Sequence, residues 1–203
     1  MNRVLVVLGL LAVTAVSAAT TVLLARAKGD DATPTALAVD LTPDQIRMPD
    51  TPVVTQDGTE LAFSEALGPG AYIIGFTYTK CPAICGATEL DMQFVAASRA
   101  DLDTPLRLVT LTLDPQNDTP QVLATAHSAA GAPPEWVRLT GRPSDIMRLL
   151  GYLGAWDGRP LKEHKQVFIV GNTSSGRNSR LSVEEVGYDP ERLLAIAASY
   201  AAS

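Results

Sequence analysis

The sequence predicts an α/β domain with a central mixed β-sheet flanked by helices, preceded by an N-terminal transmembrane helix. Three observations predict it. "AYIIGFTY" (71–78) and "LRLVTLTL" (106–113) are near-continuous apolar runs of strand length, as in strands buried on both faces. Segments of helical periodicity alternate with such runs, which implies parallel pairing at the centre of the sheet. Val4 to Ala25 is 22 residues without a charge, and at ~1.5 Å per residue such a helix spans the roughly 30 Å hydrocarbon core of a bilayer.

The N-terminal segment (1–28) reads as a membrane anchor or a signal segment. Its length favours an uncleaved anchor, while Arg3 ahead of an apolar run and "VSA" (16–18) resemble a secretory signal. Residues 29–50, "GDDATPTALAVDLTPDQIRMPD", are acidic and rich in Pro and Thr without periodicity, so they read as a flexible linker. The domain is expected over 51–203. "PVVT" and "TELAFS" flank Asp57-Gly58 and should form a hairpin. Strand 71–78 leads into the only two cysteines, and Leu90, Phe94, Val95 and Ala97 then recur at helical spacing. After strand 106–113, Thr119 as N-cap and Pro120 at the first helical position open a helix that closes at Gly131. "EWVRLTG" is a short strand, and "PSDIMRLLGYLG" a helix with Ser144 as its expected cap. "QVFIV" (166–170) and "RLSVEEV" (180–186) flank a turn-rich stretch and should pair as a hairpin, with Asp189-Pro190 opening the terminal helix. This order, βαβ first and ββα last, is that of the thioredoxin fold.

Charge narrows the partners. The net charge is −6, and the first 28 residues hold Arg3, Arg26 and Lys28 with no acid. The rest therefore carries 13 basic against 22 acidic residues, a poor surface for phosphate backbones, so no nucleic-acid partner is expected. No phosphate-loop, dinucleotide-binding or GxSxG motif is present.

Chemistry concentrates in "GFTYTKCPAICGATEL" (75–90). Cys81 and Cys85 stand just after a strand's C-terminal end and at a helix start, where ligands bind in open α/β sheets and where the helix dipole favours thiolates. At i, i+4 both sulfurs can face one side. They could hold one soft ion, copper(I) above all, or close a disulfide. A purely structural disulfide or two buried thiols is the plainer alternative; a bridge over so short a loop constrains the unfolded chain least. Lys80 could favour the thiolate of Cys81 in a thiol exchange. His164, in "LKEHKQVFIV", enters a strand whose leading loop should face the cysteines, and could complete a Cys2His copper site. His127 reads as a helix-surface or packing residue. Asp114 and Asp118, in "LDPQNDTP", could line the same rim but are better explained by local turn bonds and helix entry. Phe76, Tyr78 and Ile84 are expected to form an apolar collar around the sulfurs, and Met92 to lie in the core.

Three blocks resemble the SCO/SenC family of copper-binding proteins: "GFTYTKCPAIC" (75–85), "LTLDPQNDTP" (111–120) and "EHKQVFIV" (163–170). The resemblance runs from about Thr51 to Ser199. It implies a thioredoxin-like module tethered to the cytoplasmic membrane on its extracytoplasmic side, single-pass through residues 4–25. Cys81, Cys85 and His164 match the family's metal ligands for one copper ion, Cu(I) or Cu(II). The implied role is a metallochaperone for the copper-A centre of cytochrome c oxidase, with subunit II or another copper-accepting or thiol partner as recipient. The alternative is an extracytoplasmic thiol-disulfide oxidoreductase using Cys81 and Cys85. Departures are Gly86 where the family usually has proline, Glu163 and Lys165 around His164, and "DPQND" for a more basic motif.

Overall fold

The computed structural model describes residues 45–202 apart from 82–83, 100–104, 165 and 184–188, and apart from the side chains of Ile84 and Cys85. The apolar segment 4–25, residues 29–44 of the linker, Lys165 and the end of "RLSVEEV" therefore lie outside the described residues. Among the described residues no helix is long and apolar enough to cross a membrane.

β1 (Pro52–Thr55) and β2 (Glu60–Ala62) form the expected antiparallel hairpin, with Gly58 at φ 85° in a conformation that suits a residue without Cβ. "TELAFS" is not all strand. After Ala62 the chain bends into one helical turn, α1 (Phe63–Ala66), because the Glu65 carboxylate accepts the Ala62 N–H at 3.0 Å and Phe63 drops into the core. β3 (Ala71–Thr77), β4 (Leu106–Thr112) and β5 (Trp136–Thr140) pair in parallel, β4 between the other two. β6 (Val167–Asn172) and β7 (Asn178–Ser182) add antiparallel beyond β3, giving the order β2-β1-β5-β4-β3-β6-β7. The result is the mixed sheet of a thioredoxin-like fold.

α2 (Ile84–Ser98), α3 (Pro120–Ala129), α4 (Pro143–Tyr152) and α5 (Pro190–Ala201) are the flanking helices. Thr119 caps α3 through Val122 N–H, and Asp189 caps α5 through the N–H groups of Glu191 and Arg192. Ser144 does not cap α4. Pro143 already occupies the first turn, so the N-cap is Arg142, which makes no side-chain cap bond. One face of the sheet packs Phe76, Val109 and Leu139 against Phe63, Ile146 and Leu149; the other packs Ile73, Leu108 and Phe168 against Met92, Val95, Leu193 and Ile196. The chain is docked before Thr51. Ile46 and Met48 pack on the first core, and Ile46 exchanges two hydrogen bonds with the Asn178 side chain, at 2.9 and 2.8 Å.

Candidate functional site

Register brings three strand ends together. Thr77 of β3 stands beside Thr112 of β4, and Gly75 pairs with Phe168 near the start of β6. The loops leaving β3 and β4 and the loop entering β6 therefore share one edge of the sheet, where strand carboxyl ends leave room for a ligand. Cys81 lies on the first loop. Its N–H donates to Tyr78 O at 3.3 Å, and its half-buried side chain packs on the core and is disulfide-bonded.

Asp118, on the second loop, is 1% exposed. Its carboxylate accepts Thr112 Oγ1–H at 2.6 Å, the Thr79 N–H at 3.2 and 3.3 Å to its two oxygens, and the Thr79 hydroxyl. A buried carboxylate needs such donors, and here they fasten the cysteine loop to the end of β4. Asp114 behaves as the local reading expects. Its backbone carbonyl accepts from Asn117 and Asp118 N–H, and its carboxylate from the Asn117 amide.

His164 closes a 3-10 turn (Leu161–Glu163), its N–H donating to Leu161 O at 3.2 Å. The side chain is buried, and its ring meets Tyr78 edge-on, with centroids 6.0 Å apart. Burial lowers its pKa from the ordinary 6.5, because removal from water penalises the imidazolium. At neutral pH the ring is therefore uncharged, the form that ligates metals. Gln166, two residues on, donates to Thr88 Oγ1 of α2 at 3.3 Å, linking the histidine loop to the helix that follows the cysteines.

Between α2 and α3 a cavity of about 370 Å³ runs from Cys81 and Gly86 to Leu123, Ala126, Ala129 and Ala130. Its charged lining is mostly self-neutralised. Arg138, buried at the floor, forms two hydrogen bonds with the Glu89 carboxylate and lies over the Trp136 ring at 4.6 Å. Asp118, also in the lining, is engaged by Thr79 and Thr112. His127, in the last turn of α3, is half-buried. Its pKa is lowered chiefly by burial and secondarily by Arg138, in keeping with its packing role.

The structure thus brings Cys81, Tyr78, Asp118 and His164 to one edge. Phe76 is buried in the core beneath them and Met92 lies in the opposite core layer, while the side chains of Cys85 and Ile84 lie outside the described residues. Among the described residues no group of three or more His, Cys, Asp and Glu side chains stands ready for a metal. The donors fit copper by chemistry: sulfur and a neutral imidazole are the soft and borderline ligands that copper prefers, once the sulfur is reduced. Sequence reading missed the span of Asp118 to Thr79 and the Glu89–Arg138 pair. "DPQND" pointed to the first only as a turn, and nothing in the sequence pointed to the second.

A protein of Stutzerimonas stutzeri, provisionally described as copper-binding, is 33% identical over 117 residues, 56% of this chain and 55% of its own. The chain thus spans about half the length of that curated relative. Copper-bound ScoI of Arabidopsis thaliana superposes with a TM-score of 0.63 at 17% identity, covering 76% of this chain and 97% of its own. BsSco, a member of the Sco family of cytochrome c oxidase assembly proteins in which a disulfide switch was identified, gives 0.59 at 23% identity, covering 78% and 96%. These likenesses establish a shared fold. Residues 19–167 match the SCO1/SenC family model, and the chain belongs to the SCO1/SenC family.

Proposed function

We propose that this chain is a membrane-tethered copper carrier. Cys81, Cys85 and His164 hold one ion and pass it to a thiol-bearing acceptor, for which the copper-A centre of cytochrome c oxidase subunit II is the candidate. Val4–Ala25 serves as the anchor, the linker expected over 29–50 gives way to docked chain by Ile46, and the domain lies on the extracytoplasmic side. The observation that carries the reading is the burial of a neutral His164 against Tyr78, three residues before Cys81. Three protein ligands leave a coordination position open, and through it an acceptor's sulfur can enter before the ion leaves. The relatives' copper binding and their link to oxidase assembly support the same reading.

The disulfide at Cys81 favours a second reading, exchange with a partner's thiols, in which one cysteine attacks and the other resolves. Histidine separates the two, since dithiol exchange does not need it. Titration of the reduced full-length chain in detergent should give one copper per chain with thiolate-to-copper absorption. The His164→Ala chain should bind Cu(II) more than about 10-fold more weakly. A stoichiometry near zero, or unchanged Cu(II) affinity and absorption in the variant, would end the carrier reading.

A further inference from the structure

We propose that the cavity between α2 and α3 seats an uncharged, cysteine-bearing segment of the acceptor protein, anchored by one apolar side chain. This rests on the function proposed above, because Cys81 lies in the cavity wall and is the group through which an acceptor's cysteine is reached.

The cavity exists because its lips are small. Gly86 on α2 faces Ala126, Ala129 and Ala130 on the α3 side, and a Cβ at Gly86 would meet nothing within 4 Å. Gly86 lies at an ordinary helical φ, so the turn does not require glycine there. What the residue does is leave the entrance beside Cys81 clear. The apolar surface continues outside the cavity at Leu90, one helical turn on and 65% exposed, farther than a small ligand inside the cavity would cover. Glu89 pairs with Arg138 through two nitrogens, and Asp118 keeps its charge while Thr79 and Thr112 occupy its oxygens. The lining thus holds one cation against two carboxylates and disfavours an anionic ligand, with the buried Arg138 Nε left as a donor for a neutral carbonyl. Gln93, in the wall, carries both a donor and an acceptor suited to a peptide backbone. An uncharged extended segment matches this surface: an apolar side chain sits between the alanines, and its cysteine lies at Cys81.

The test uses the full-length chain in detergent micelles and capped glycine hexapeptides carrying one leucine or one alanine beside a serine that replaces cysteine. Empty micelles serve as the blank. The leucine peptide should bind saturably and about 10-fold or more tighter than the alanine peptide, as expected for burying that side chain. Ala126→Leu and Ala129→Leu, which fill the cavity from α3, should abolish the preference while copper titrates as in the unaltered chain. With cysteine restored, the peptide thiolate attacks one sulfur of the disulfide, a new S–S bond joins peptide to protein, and the other protein sulfur leaves as thiolate. That rate should show the same leucine preference. Equal binding of the two peptides, or a preference that survives in both variants, overturns the proposal. Ala129 is exposed, so its variant decides the matter should Ala126→Leu misfold. Leucine preference without copper binding would remove the metal reading and leave this one standing; copper binding without the preference would do the reverse.

Discussion

Asp118 is a single side chain on which the geometry of the cysteine loop depends. Asp118→Ala leaves the Thr79 and Thr112 donors unmet in a buried setting and should destabilise the domain by about 2–4 kcal/mol, measured as a lower urea midpoint. Asp118→Asn keeps an acceptor oxygen and should recover part of that loss. His164 sets a pH dependence. Its folded pKa lies below 6.5, so the folded chain binds fewer protons there than the unfolded chain. Its contribution to stability is complete above 6.5 and declines as pH falls through 6.5 toward the folded value. Protons compete with metal for the ring in the same acidic range. If His164 binds copper as proposed, Cu(II) affinity followed by absorption should change little between pH 8 and 7 and weaken as the pH falls below 6.5 toward the lowered value.

At the scale of elements, α2 carries an internal cost. Asp91 is buried on this helix and its pKa is raised to about 6, first by loss of water and then by Asp189 at the start of α5. The folded chain keeps this proton up to about pH 6 while the unfolded chain releases it near 3.8, so the stability it contributes is present below 3.8 and lost as pH rises through 6. Asp91→Asn should therefore stabilise the domain by on the order of 1–2 kcal/mol at pH 7 and by little at pH 3.5, read from denaturant curves at both values. Elements with strong local signals were legible in the sequence: the caps at Thr119 and Asp189, the Asp57-Gly58 turn and the buried runs of β3 and β4. Two local readings failed where a neighbour outvoted them. Pro143 started α4 one residue ahead of Ser144, and Glu65 with Phe63 turned a predicted strand end into α1.

For the whole molecule, the succession of βαβ and then ββα pointed to the thioredoxin fold, and with it the approach of the His164 loop to the cysteine loop; the lateral strand order, with β6 beside β3, comes from the structure. What could not be read is what joins distant segments by side chain. Asp118 to Thr79, Gln166 to Thr88 and Arg138 to Glu89 depend on which way side chains point after packing. The docked start of the chain is another such case, because "PDQIRMPD" has no periodicity to announce that Ile46 and Met48 are covered. A domain beginning at Thr51 should thus be less stable than one beginning at Pro43 by about 2–4 kcal/mol, measured by urea denaturation of the two in parallel.

The register that sets Thr77 beside Thr112 and Gly75 beside Phe168 also imposes an order on events in the life of the chain. Cys81 and His164 are separated by more than 80 residues, and only the finished sheet brings their loops to one edge, where His164 meets Tyr78. A chain still extended carries its sulfurs without the imidazole. If Cys81, Cys85 and His164 bind copper as proposed, only the folded state offers all three, so loading with copper would certify that folding is complete. A misfolded copy would reach the acceptor empty-handed, and the sheet would act as an inspector of its own assembly before any ion is entrusted to it.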